Sequence, residues 1–194
     1  MSCYISSGAA LGCSDGIGGI KKIYIVGGTG STLGGITGFT YDADGAITGG
    51  TAAANTVLYG FDLKRNTSSL AQNVQKNFEN GTIFFEQVLT AVLFRYDQTK
   101  RNQIKILSQN DQIEIIAIDQ NNTFYYLGQV NGMYLSGGDA STGTAYGDRN
   151  GFTLTFTGQE NTPANTILSN SLDEQVATAN AVLASVFSGV TVTG

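Results

Sequence analysis

The sequence predicts a mainly β protein: one antiparallel, sandwich or barrel-like domain over residues 1–194, with an inserted helix, a C-terminal helix and a long glycine-rich arm. Three observations carry that class. Short runs rich in Ile, Val, Tyr, Phe and Thr recur along the chain, as half-buried or buried strands require. The breaks between them are clusters of Gly, Asn and Asp, residues that tolerate positive φ and so build turns. Helical 3.6-residue periodicity is confined to two segments.

Residues 20–26, IKKIYIV, form the first strand, preceded by an N-terminal extension over 1–19. The run empties into GGTGSTLGG, which imitates a strand handing over to a phosphate-binding loop. A dinucleotide site needs a helix N-terminus behind the glycines. Here ITGFTYDADGAITGG follows, rich in Gly, Thr and β-branched residues, so no helix and no parallel crossover are expected. Residues 27–56 are instead read as an arm too poor in apolar residues to bury itself, and a neighbouring subunit must supply the missing surface. Within it Asp42-Ala43-Asp44-Gly45 is a hairpin turn. The remaining ligands of a calcium loop are missing from the segment.

Residues 57–64, VLYGFDLK, alternate, with Val57, Tyr59, Phe61 and Leu63 on the face expected to be dry. Residues 65–81 read as a polar loop. Residues 82–96, TIFFEQVLTAVLFRY, are the most apolar stretch; from Val88 to Phe94 both faces are apolar, which predicts a central strand covered on both sides. Asp97 is placed to cap a short helix over 97–108 that turns Ile104 and Leu107 to the core. IEIIAID and TFYYLGQV, joined through QNN, form a hairpin. A short extension over 132–135 leads into a second glycine- and aspartate-rich loop. FTLTFTG at 152–158 sets Phe152, Leu154 and Phe156 against a threonine face. A C-terminal extension over 159–194 carries Ser171 and Glu174 at capping-box spacing. An apolar stripe of Val176, Ala179, Val182, Leu183 and Val186 follows, ended by Gly189. The total is six to eight strands.

Composition excludes several functions. Charged residues are 13% of the chain, about half the usual share, and the net charge of −5 offers no basic footprint for holding nucleic acid. Histidine is absent and the only cysteines are Cys3 and Cys13. The usual general base, nucleophile–base pairs and zinc ligand sets are therefore missing, so neither an enzyme nor a metal or cofactor site is expected. The sequence has neither a signal-peptide pattern nor a run long enough for a membrane helix, so no membrane partner is expected and a cytosolic origin is. Both thiols are then reduced, and the Asn66, Asn80 and Asn121 acceptor patterns are polar loop residues.

The ordered series CSDGIGGIKKIYI at 13–25, NGTIFFEQVLTAVL at 80–93, IEIIAIDQNNTFYYLG at 113–128 and GTAYGDRNGFTLTFTGQE at 143–160 resembles virion structural proteins of tailed phages of Bacteroidetes-type hosts. It is most similar to the major tail tube group. That resemblance implies two packed antiparallel sheets with a flanking helix, an arm reaching a neighbour, and hexameric rings stacked around a DNA channel. The partners would be further copies of the chain and other tail proteins, with DNA only in passage. The place would be the virion tail, made in the host bacterial cytoplasm. Phe39, Tyr41, Asp42 and Asp44 are the intersubunit candidates of the arm. A conducting wall should be neutral or acidic, because every phosphate neutralised by Lys or Arg adds salt-dependent affinity. Polar positions on core strands, Glu86, Thr90, Glu114, Thr153 and Thr155, are therefore the channel-lining candidates. The alternatives are a capsid decoration or head–tail connector protein, and a carbohydrate-binding or adhesin module using Tyr125, Tyr126 and Tyr134.

Overall fold

A strand with Ile, Val or Leu on both faces must be covered on both faces, and β1 (Ile20–Gly28) is buried at every position from Ile23 to Val26. This dictates layers on either side of it. The computed structural model describes residues 16–28, 35–95, 97–168 and 179–193. Cys3 and Cys13, the capping pair Ser171 and Glu174, and residues 29–34 of the arm lie outside the described residues.

After β1 come β2 (Ile36–Tyr41), β3 (Ile47–Ala52), β4 (Thr56–Asp62), β5 (Ser69–Asn77) and β6 (Thr82–Phe94). Then follow α1 (Gln98–Leu107), β7 (Glu114–Asp119), β8 (Phe124–Leu127), β9 (Met133–Ser141) and β10 (Gly151–Glu160). β11 (Asn165–Ile167), α2 (Ala179–Val186), β12 (Phe187–Ser188) and β13 (Thr191–Thr193) complete the described chain.

The large sheet runs β12-β3-β11-β8-β7-β1-β4-β13, with β2 added on β3. Its two terminal strands, β12 and β13, are neighbours in the chain, separated only by Gly189 and Val190, with Gly189 at φ 85°. The three steps from Ser188 to Thr191 reach only about 10 Å, so both ends of the sheet are drawn together and it curls into a barrel-like form. Inside lie Tyr24, Val26, Leu58, Ile116, Tyr126 and Phe187, together with Val182 and Leu183 of α2. The Tyr24 hydroxyl donates to Asn180 Oδ1 at 2.6 Å and ties α2 to β1.

The outward face of the same strands, Ile23, Ile25, Ile115, Ala117 and Leu127, packs on Leu89, Leu93, Leu154 and Phe156 of the small sheet, ordered β5-β6-β10-β9 and antiparallel throughout. Helix α1 closes one side of this second core with Ile104 and Leu107. As expected from the sequence, Asp97 caps it, accepting the Thr99 N–H at 2.8 Å. β1 pairs antiparallel with both of its neighbours, β4 and β7, and β2, which follows the glycine-rich stretch, pairs antiparallel with β3, so no parallel crossover of the dinucleotide-binding kind follows β1.

Several expectations are corrected. The described part of 27–56 is not a free glycine-rich loop. It is the β2–β3 hairpin, and β3 is inserted between β11 and β12, with Ile36 and Ile47 buried. Its turn lies where Asp42 predicts: the Asp42 carboxylate accepts the N–H groups of Asp44 and Ala46 at 3.0 and 2.7 Å. The 159–194 stretch is likewise no appendage, since β11, β12 and β13 are all strands of the large sheet. In β4, Leu58 lies on the face opposite the one expected to be dry, yet it is fully buried inside the barrel, while Tyr59 is 41% exposed. The polar loop at 65–81 contains β5, and the second loop contains most of β9.

Candidate assembly surface

The small sheet has one face in the core and one free. Strand alternation puts Gln87, Leu89, Ala91 and Leu93 of β6 inward, all buried, and Glu86, Val88, Thr90 and Val92 on the other side. The same alternation in β10 buries Phe152, Leu154 and Phe156 and turns Thr153, Thr155 and Thr157 outward. Register then assembles a wall. Thr90 stands opposite Thr155, Val92 opposite Thr153, Val88 opposite Thr157, and Glu86 opposite Gln159. On the β5 side Ser69, Ala71 and Asn73 continue these rows, and on the β9 side Gly137 and Asp139 do.

The wall is stiffened by its own hydroxyls: Ser136 Oγ and Thr157 Oγ1 lie 2.8 Å apart, and Ser136 Oγ also donates to the Thr155 carbonyl at 3.1 Å. Its charge is sparse. Arg149 donates to Thr153 Oγ1 at 2.6 Å and pairs with Asp139 at 3.3 Å, leaving the Glu86 carboxylate as the excess charge of the face. Four of the five channel candidates, Glu86, Thr90, Thr153 and Thr155, thus share one surface. Val92 and Thr157 on this side are buried, whereas Val88 and Thr90 are only half-buried, so the double coverage expected for this strand reaches Val92 but not Val88 or Thr90.

Glu114 is not on that surface. It begins β7 of the large sheet and points into the end of the barrel, where its Oε2 accepts the Tyr126 hydroxyl at 2.6 Å and the Ile36 N–H at 3.3 Å. Burial raises its carboxyl above the ordinary value, and the hydrogen bonds from Tyr126 and Ile36 oppose that shift. Burial likewise drives the Tyr126 phenol well up, with the Glu114 charge adding to it. The physical reason is that the large sheet is dry on both faces, so a polar position in its strands points to a second core rather than to water.

The arm candidates also separate. Phe39 packs within its own chain, its ring 5.1 Å from Tyr126 and 6.4 Å from Phe187. Asp42 is engaged in its turn, whereas Tyr41 is 49% exposed and Asp44 is exposed. The three tyrosines of the sugar-platform alternative lie apart: Tyr126 is buried inside the barrel, Tyr125 packs on the other core, and Tyr134 is on the free face of the small sheet.

Sequence reasoning missed the two strands that border the wall. β5 and β9 are the edges of the small sheet, each nine residues long. Lys76 and Asp139 are their only charged residues and neither holds a proline. Natural proteins usually protect such edges with charge, proline or brevity. Also missed was Glu160, buried at the end of β10, whose Oε1 accepts the N–H groups of Val130 and Asn131 at 3.0 and 2.9 Å and fixes the loop before β9.

The features together define a mainly β protein of two sheets, a large one whose two ends are drawn together and a small one with two long edges. No protein-family model matches the chain, and no curated protein or solved structure matches it. Among the described residues no helix is long and apolar enough to cross a membrane.

Proposed function

We propose that the chain is a structural subunit of a phage virion that closes into rings through the β5 and β9 edges, and that stacked rings form a tail tube conducting DNA. The pair of unguarded edges carries this reading. An antiparallel sheet with an even number of strands has edges that run in opposite directions. A copy rotated about an axis along the strands therefore presents β5 to β9 in antiparallel sense, and the alternation continues around the ring. An odd number would force parallel pairing at every junction.

The stagger within one chain supports the same closure. Asn73, the centre of β5, is level with Glu86, while Gly137, the centre of β9, is level with Thr90. Full pairing of β9 with the next β5 thus shifts the register by about four residues per subunit, or about 13 Å, over four strands spaced by about 4.8 Å. That ratio corresponds to a strand tilt of about 35°, at the lower end of the range for closed barrels. Six copies at this tilt enclose a backbone-to-backbone diameter of about 45 Å. The large sheet occupies the other face of the small sheet, so only the threonine wall is free to line the bore. Its low charge suits passage of DNA without retention.

Hydrogen exchange on the purified protein, combined with mass measurement, tests the edge closure. Backbone amides of β5 and β9 should gain protection when the rings form and lose it on dilution to monomer. Rings with unchanged exchange at both edges would refute edge pairing, and a stable monomer or trimer would favour the decoration-protein alternative.

A further inference from the structure

The chain contains three Asn-Gly dipeptides, Asn80-Gly81, Asn131-Gly132 and Asn150-Gly151. In such a dipeptide the glycine nitrogen can attack the asparagine carboxamide, because the glycine carries no side chain to obstruct the approach. The reaction needs a carboxamide free to swing over the backbone, a glycine N–H that no acceptor holds, and open space around the glycine. The fold supplies these at one dipeptide and withholds them at the other two.

Asn131 is clamped. Its Nδ2 donates to the Gln159 carbonyl at 2.7 Å, and its own N–H donates to Glu160 at 2.9 Å. The Gly132 backbone is pressed on Gln112, where an added Cβ would come within 2.7 Å of the Gln112 Cα. Gly151 is buried as the first residue of β10, in register with Phe94 on one side and Ser141 on the other, and packed on the Leu93 carbonyl. The Asn150 carbonyl meanwhile accepts the Arg95 N–H at 2.9 Å.

Asn80 and Gly81 stand in the turn between β5 and β6, both exposed. Asn77 Oδ1 accepts the N–H groups of Glu79 and Asn80 at 2.9 and 3.2 Å, which holds the backbone leading into the dipeptide. The Asn80 carboxamide and the Gly81 N–H themselves have no hydrogen bond among the described residues. Nothing lies within 4 Å of the point where a Gly81 Cβ would stand.

We propose that Asn80 is a self-modification site, which deamidates through a succinimide ahead of Asn131 and Asn150. Base removes the Gly81 N–H proton, and the nitrogen attacks Asn80 Cγ. A new C–N bond closes the ring while the bond from Cγ to the carboxamide nitrogen breaks, with loss of ammonia. Water then opens the ring at either carbonyl and leaves aspartate or isoaspartate at position 80. Both products add a negative charge next to Glu79, and isoaspartate also lengthens the main chain of the turn by a methylene. That change falls on a weakly supported hairpin end. Pairing of β6 with β10 stops at Phe85 opposite Glu160, so Thr82, Ile83 and Phe84 pair with β5 alone. A two-stranded ribbon is marginal in water, and the lengthened turn releases its end. This chemistry is independent of whether copies of the chain associate.

The test holds the full-length chain in mildly alkaline buffer, where more of the attacking nitrogen is deprotonated, beside a parallel sample unfolded in urea. Peptide mapping by mass follows amide-to-acid conversion at the three positions. In the folded chain Asn80 should react at least about tenfold faster than Asn131 or Asn150, whose surroundings must first give up hydrogen bonds. In urea the three rates should converge. Asn80→Gln should suppress conversion at that position, because its longer side chain closes a ring far more slowly, and leave the other two unchanged. Isoaspartate at position 80 should be accompanied by loss of amide protection over residues 82–84. Equal rates at the three positions of the folded chain would overturn the assignment, as would an Asn80 that stays intact while the unfolded chain converts at all three. Accumulating isoaspartate with unchanged protection over 82–84 would overturn the release of the hairpin end.

Discussion

Replacing Tyr126 by Phe isolates one hydroxyl. The ring sits inside the barrel, edge-on to Phe39 and Phe187 at centroid distances of 5.1 and 6.0 Å, and phenylalanine preserves that packing. What is lost is the 2.6 Å hydrogen bond to Glu114 Oε2, leaving the carboxylate only the longer 3.3 Å bond from Ile36 N–H. A buried hydrogen bond to a charged acceptor is worth about 1.5–3 kcal/mol, and one between neutral groups about 0.5–1.5 kcal/mol. The penalty should therefore depend on pH. The folded-state value of Glu114 is raised by burial, so the folded chain binds this proton more readily than the unfolded chain. In the wild type this group therefore lowers stability as pH rises from the unfolded carboxyl value, about 4.3, through the folded value. Removing the Tyr126 donor raises the folded value further, because the hydrogen bond favoured the charged form. Tyr126→Phe should thus cost about 1.5–3 kcal/mol above the window and only the neutral-bond range below it. Urea denaturation of both proteins at pH 8 and pH 4, repeated in a Glu114→Gln background, measures this directly. In that background the pH dependence of the penalty should vanish. A penalty under about 0.5 kcal/mol at pH 8, or one that does not shrink on acidification, would refute the buried-carboxylate account.

Two further outcomes are expected. Leu89→Ala, at a fully buried position between the two sheets, should cost about 2–5 kcal/mol in chemical denaturation, and a change below about 0.5 kcal/mol would place it outside the core. Introducing lysine at Glu86 and Thr155 together, both on the free face of the small sheet, should leave the monomer fold intact and make assembled tubes retain double-stranded DNA at low salt and release it at high salt; assembled tubes without salt-sensitive retention would remove that face from the bore.

The elements that the sequence foretold are those with a strong local signal. β1, β6, the β7–β8 hairpin and β10 are dense in β-branched and aromatic residues, and α1 carries its own cap in Asp97. β5 was not legible because Ser69–Asn77 is polar and largely exposed, and its strand conformation is imposed by the nine-residue ladder with β6. Alternation misled at Leu58 and Glu114 for one shared reason. A period of two separates a dry face from a wet one only when the sheet has a wet face, and the large sheet has none over β1 and β7. The hairpin register did contain a usable hint for Glu114. Ile116 pairs with Tyr126, and Glu114 is the next position on the same face, within reach of that phenol.

Both of the fold's sheets face the same physical problem, the unpaired N–H and C=O groups of an edge strand, and they meet it in opposite ways. The large sheet's path ends in β12 and β13, strands of only two and three residues brought together through the Gly189–Val190 link, and α2 packs against the interior between them. That arrangement recruits the last 15 described residues, 179–193, and the β2–β3 hairpin, segments whose composition alone suggested loose ends. The small sheet lies against the large one, held by Leu89, Leu93, Leu154 and Phe156, yet neither β5 nor β9 is shortened, heavily charged or interrupted by proline. A chain that ends one sheet in such short strands had the means to do the same for the other. Leaving both open in antiparallel sense, beside a face made mostly of threonine, is costly for a monomer because such edges template aggregation. The cost disappears when each edge is paired by the next copy, and that is the condition the proposed ring supplies.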